Sequence, residues 1–126
     1  MNLLISCRIF FINYCVTLGV YDLKTVTICG SMRFEDEMKS IAFLLETKYK
    51  MCVLQCVYNV DKKDLSASEI ETLNKSHFRK IDMADAVYIV NINGYIGEQV
   101  KKEIAYARKI GKEVIFHTDF RSKEGL

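Results

Sequence analysis

The chain lacks a large excess of either charge: 18 basic residues stand against 16 acidic ones among 126, a formal net charge of +2. That balance gives no electrostatic footprint for a nucleic-acid polymer or a membrane surface, and neither is expected as a partner. Clustered metal ligands are missing too. Cys52 and Cys56 have no second pair, and His77 and His117 stand alone in the sequence, so neither zinc nor iron–sulfur ligation is suggested and no metal site is assigned. No other cofactor is implied. The five cysteines, Cys7, Cys15, Cys29, Cys52 and Cys56, form an odd set, and three lie in apolar strand-like runs as small hydrophobes do. This argues against a disulfide framework and for a reducing, cytoplasmic setting. Repeats and low-complexity tracts are absent as well.

With 50% apolar and 27% charged residues, 126 residues suffice for one globular domain with a core of ordinary size. Residues 1–24 differ from the rest. Leu3 to Val20 is apolar except for Arg8, Asn13 and a few small polar groups, which touches the lower limit for a membrane span. Arg8 and Asn13 interrupt it, no basic residues precede it and no small-residue cleavage site closes it. It reads as an apolar extension, either an added strand or a poorly ordered segment. The compact domain is expected over residues 25–118, followed by a polar tail at 119–126.

From Thr25 strand-like and helix-like patterns alternate. Thr25 to Cys29 is a β-branched run stopped by Gly30-Ser31. A helix follows with Phe34, Met38, Ile41, Ala42 and Leu45 on one face and Glu35, Asp36 and Glu37 in its first turn, where acids complement the helix dipole. Met51 to Val57 reads as the second strand and Asn59 to Ser68 as a polar loop. Ile70, Leu73, His77 and Ile81 make the inner stripe of a second helix. Ala86 to Val90 is the third strand, Val100 to Ile110 a third helix ended by Gly111, and Glu113 to His117 the fourth strand. Alternation of this kind predicts an α/β protein, a small Rossmann/flavodoxin-like three-layer fold with a parallel sheet of four or five strands. Ligands of such sheets bind beyond the carboxyl ends of the strands. Three loops converge there: Gly30 to Arg33, Tyr58 to Ser68, and Asn91 to Gln99.

One carboxylate is out of place. Val100, Ile104, Ala107 and Ile110 form an apolar stripe at offsets of three and four, and Glu103 falls on its edge. A carboxylate leaning inward costs several kcal/mol by order of magnitude unless something uses it. It sits about one and a half turns from a helix start that follows Gly94 and Gly97, where free N–H groups and the helix dipole favour the ionised form. Such a group suits attack on, or stabilisation of, an oxocarbenium-like centre. Its bland alternative is an outward Glu103 paired with Arg108 or Lys102.

With Gly30-Ser31-Met32-Arg33, Ala84-Asp85, Gly94-Tyr95-Ile96-Gly97-Glu98 and Glu103-Ile104-Ala105-Tyr106-Ala107 in place, residues 25–116 resemble the nucleoside 2-deoxyribosyltransferase superfamily, which includes 2'-deoxynucleoside 5'-phosphate N-hydrolases. The resemblance implies that Glu103 is the nucleophile on the deoxyribose anomeric carbon. It also implies that Gly30, Ser31, Met32 and Arg33 hold a substrate phosphate, for which a guanidinium and turn amides are chemically apt. Asn91, Asn93, Gly94 and Gly97 belong to the second substrate loop. The expected ligand is a nucleoside or nucleotide, and the expected assembly a homodimer or larger homo-oligomer. Gly97 stands where related enzymes often carry an Asp, the nearest acid being Glu98. Glu98 or Tyr95 is then the candidate to protonate the leaving base. Glu98 is otherwise a first-turn acid paired with Lys102. His77 occupies another acidic position of the family and either points into the site or serves as a core histidine. Asp85, at the start of the third strand, is expected to cap or orient structure away from the site.

Three competing readings accompany this one. A nucleotide-binding module without turnover follows if the supporting acids are lost. A glycosidase acting on another ribosyl ligand such as NAD uses the same carboxylate logic. A phosphoacceptor receiver is disfavoured because no acid closes the first or third strand.

Overall fold

Strand β1 (Thr25–Gly30) lies at the heart of the sheet, and its β-branched residues explain why: Val26 to Cys29 are buried on both faces. The computed structural model describes residues 23–125. The extension expected over residues 1–24 lies outside the described residues except for its last two. After β1 a 3-10 turn (Met32–Phe34) leads into α1 (Glu35–Thr47), then β2 (Cys52–Leu54), α2 (Ala67–Met83), β3 (Ala86–Val90), a second 3-10 turn (Ile92–Gly94), α3 (Glu98–Lys109), β4 (Glu113–Phe116) and α4 (His117–Glu124). Among the described residues the sheet has four strands in the order β2-β1-β3-β4, all parallel. The α/β three-layer expectation holds.

Alternation along β1 assigns its side chains to two cores. Val26 and Ile28 join Met38, Ile41, Ala42 and Leu45 of α1, with Phe120 of α4 packed against them. Cys29 joins Ile81 of α2 and Val100, Ile104 and Ala107 of α3 on the other face. Helices α1 and α4 thus cover one face, and α2 and α3 the other. Asp85 acts as expected: its carboxylate accepts from Thr25 N at 2.8 Å, and its own N–H donates to Thr25 O at 2.8 Å.

Three expectations are corrected. The second strand is three residues long, not the run from Met51 to Val57. Its ladder stops at Thr27↔Leu54, after which Lys80 Nζ donates to Gln55 O at 2.7 Å and Val57 is 67% exposed. Residues past Leu54 leave the sheet edge to wall a cavity. The fourth strand ends at Phe116, and His117 opens a helix instead. That helix takes up most of the stretch read as a polar tail, because Phe120 anchors it edge-on against Tyr88 and Tyr49. No helix among the described residues is long and apolar enough to cross a membrane.

Candidate active site

Beyond the carboxyl ends of β1 and β2 lies a cavity of about 410 Å³, within the size range of small-molecule sites. The β1 turn forms one wall with Gly30, Ser31 and Met32, and the start of α3 forms another with Gly97, Glu98 and Gln99. Gly30 allows a close approach: a Cβ there would meet Met38 Sδ at 2.7 Å and Val90 Cβ at 3.2 Å, so a larger residue would have to displace them. Gly97 is the N-cap of α3 and supplies no capping side chain, so the first N–H groups of the helix remain available to a ligand. Ile70 and Leu73, expected in the core stripe of α2, line the cavity.

Glu103 points inward. It is 6% exposed and borders the cavity, with its Oε1 3.3 Å from His77 Nε2. His77 is likewise buried, and its Nε2 also lies 3.4 Å from Cys29 Sγ. His77 Nδ1 is buried with no hydrogen-bond partner. The alternatives left open by the sequence therefore resolve toward an inward Glu103 and a His77 that faces the site.

Burial governs the electrostatics. It pushes the Glu103 carboxyl up to about 7. His77 is lowered to about 4, first by burial and then by the Lys80 charge. The Cys29 thiol is raised well above its ordinary value by burial, then by Glu103 and Cys56. A 3.3 Å contact has the length of an ion pair, but both shifts oppose charge separation. Between those two pH values the pair is a neutral hydrogen bond, and above pH 7 it is a carboxylate facing an imidazole N–H. The expectation that the helix start keeps Glu103 ionised is corrected: Glu103 is the sixth residue of α3, and desolvation outweighs a dipole effect that fades beyond the first turn.

Several expected site residues lie elsewhere. Arg33 stacks its guanidinium 3.8 Å over the Tyr95 ring and does not line the cavity. Tyr95 also meets Phe34 edge-on at 5.9 Å, and its hydroxyl only approaches the cavity at Gly97, where an added Cβ would lie 3.7 Å away. Asn91 ties the end of β3 to α4, donating to Thr118 Oγ1 and accepting from Thr118 N, both at 3.1 Å. Asn93 and Gly94 adopt positive φ, 53° and 79°, and shape a turn outside the cavity wall. Glu98 is at the cavity mouth but exposed. It accepts from Lys101 at 2.9 Å, not from Lys102, and that bond lowers its pKa, which makes it a poor proton donor.

The sequence reading passed over Cys29, which meets His77 behind the cavity wall, and it passed over Cys56, Asn74 and Lys80, which border the cavity. Two signals were present. Thr27 and Cys29 share a face of β1 by alternation, and Asn74 precedes His77 by three residues on α2. The fold also brings Cys29, His77 and Glu103 ligand atoms within 4.8 Å of one another, a grouping that their separation in the sequence hides. Comparison of the chain with protein-family models, with curated proteins and with solved structures found no match in any of the three.

Proposed function

We propose that the cavity is the active site of an N-glycosidase that cleaves 2'-deoxynucleosides or their 5'-monophosphates with Glu103 as nucleophile. One observation carries the reading: a buried carboxyl, backed by an imidazole, borders a small-molecule cavity at the carboxyl ends of parallel strands. With Glu103 ionised, His77 Nε2–H donates to Oε1 and fixes the carboxylate's orientation. The other carboxylate oxygen bonds to the anomeric carbon as the C–N bond breaks, and the base departs with the electron pair and takes a proton from water. Water then cleaves the glycosyl ester in a hydrolase, and a second base does so in a transferase. The Gly30 to Met32 turn and the open start of α3 suit a 5'-phosphate, which favours hydrolysis. Assembly as a homo-oligomer belongs to the same proposal.

The decisive assay is chromatography for free base after incubation with deoxynucleoside monophosphates, ribonucleotides, deoxynucleosides and NAD. Release from deoxynucleotides, reduced at least about a hundredfold in Glu103→Ala, is the expected result. Full release by that variant ends the nucleophile assignment. A second reading, a nucleotide-binding module without turnover, draws on the exposed, Lys101-bound Glu98, which leaves the leaving base without an obvious acid. Nucleotide binding with no base release selects it, whereas release of nicotinamide selects an NAD glycosidase.

A further inference from the structure

Three elements deliver three different ligand types to one point. Alternation along β1 turns Cys29 toward the face covered by α2 and α3, α2 supplies His77, and α3 supplies Glu103. All three are buried. From the His77 Nε2 atom, Cys29 Sγ is 3.4 Å away and Glu103 Oε1 is 3.3 Å away. Tetrahedral bonds of 2.0–2.3 Å to zinc set ligand atoms about 3.3–3.6 Å apart, so both spacings are those of ligands gathered round a single ion.

His77 Nε2 carries either one lone pair or one hydrogen, so it makes one good hydrogen bond to one of its two neighbours, and the Cys29 thiol's other contact is a long one, to Thr27 O at 3.9 Å. A cation removes the competition, because thiolate, imidazole and carboxylate then all act as electron-pair donors. We infer that Cys29, His77 and Glu103 form a three-ligand site for a zinc-like divalent cation, with a fourth coordination position on the cavity side, where His77 and Glu103 border open space.

The ligand set selects the ion class. A thiolate beside an imidazole suits zinc and its neighbours in the transition series and disfavours magnesium and calcium, which take oxygen ligands. Charge balance fits the dry setting: a dication with one thiolate and one carboxylate is neutral. Binding releases one proton from the Cys29 thiol, and a second from Glu103 when that carboxyl is protonated. The inference does not rest on the glycosidase reading. The two occupy the same carboxylate, so a bound cation withdraws Glu103 from attack on a sugar.

The test uses the full chain, stripped with a chelator and titrated with cobalt(II) alone. One equivalent is expected to bind, with a thiolate-to-cobalt charge-transfer absorption and the visible bands of a tetrahedral ion, and zinc is expected to displace it. A variant carrying Cys7→Ser, Cys15→Ser, Cys52→Ser and Cys56→Ser, with Cys29 as its one thiol, retains the spectrum. Cys29→Ser loses the charge-transfer band and weakens cobalt binding at least tenfold, while circular dichroism reports whether it is folded. Absence of saturable uptake by the unaltered chain overturns the site. So does loss of the band from the single-thiol variant, or its persistence in Cys29→Ser. None of these readouts depends on base release, so failure of the site and failure of the glycosidase reading are separately visible.

Discussion

Glu103 shows how a residue's surroundings decide its chemistry. Burial raises its folded-state ionisation from 4.5 to about 7, so its favourable contribution is complete below pH 4.5 and is lost as pH rises through 7. His77, lowered from 6.5 to about 4, behaves in the opposite sense: its contribution is complete above pH 6.5 and lost as pH falls through 4. Glu103→Gln removes only the first effect. Relative to the unaltered chain, the Gln variant is expected to gain roughly 2–3 kcal/mol of stability between about pH 5 and pH 8. Urea denaturation of chelator-treated protein at the two pH values measures this, and a constant difference contradicts the burial argument. The same titration governs catalysis under the glycosidase reading. A nucleophile must be ionised, so kcat/KM for base release by chelated protein is expected to climb tenfold per pH unit on the acid side and level off near pH 7. A flat profile excludes Glu103 as the titrating nucleophile. The inward position of Glu103 was legible in the sequence from its place beside Val100, Ile104 and Ala107. The partners that set its charge were not, since His77 and Cys29 lie 26 and 74 residues earlier in the chain and no local pattern links them.

Elements were easier to read than their lengths. The alternation of β-branched runs with amphipathic stripes identified β1, α1, α2, β3, α3 and β4, because helices and strands bury their faces with different periods. It failed where apolar residues serve a cavity instead of a core. Cys56, Val57, Ile70 and Leu73 extend strand-like and helix-like patterns but wall the cavity, and a periodicity count cannot separate those two uses of an apolar side chain. Arg33 gave a related difficulty, since the Tyr95 ring beneath it belongs to a turn 62 residues later in the chain. Helix α2 also depends on its first residues. Ser66 accepts from Glu69 N at 3.1 Å and Glu69 returns a bond to Ser66 N at 3.0 Å, a complete capping box. Ser66→Ala is expected to cost about 1 kcal/mol. Thermal unfolding checks it, and an unchanged Tm would show that tertiary packing alone holds the helix start.

At the scale of the molecule, the described residues build an open four-stranded sheet with a core on each face. β1 has partners on each side, and α1, α4, α2 and α3 cover the two faces. Deletion of residues 2–23 is therefore expected to leave a chain that unfolds cooperatively with a Tm within a few degrees of the parent, as measured by circular dichroism. A shortened chain without a cooperative transition would show that the extension belongs to the fold. The parallel order of the strands has a further consequence, in time and not in energy. The central strand finds its first neighbour 27 residues downstream, through Thr25↔Cys52, but its second only after 60, through Val26↔Ala86. At 5–20 residues per second, a ribosome takes roughly 3–12 s to deliver that second neighbour. During this interval β1, whose residues Val26 to Cys29 end up fully buried, has at least one edge open, and its protection falls to whatever meets the nascent chain outside the exit tunnel.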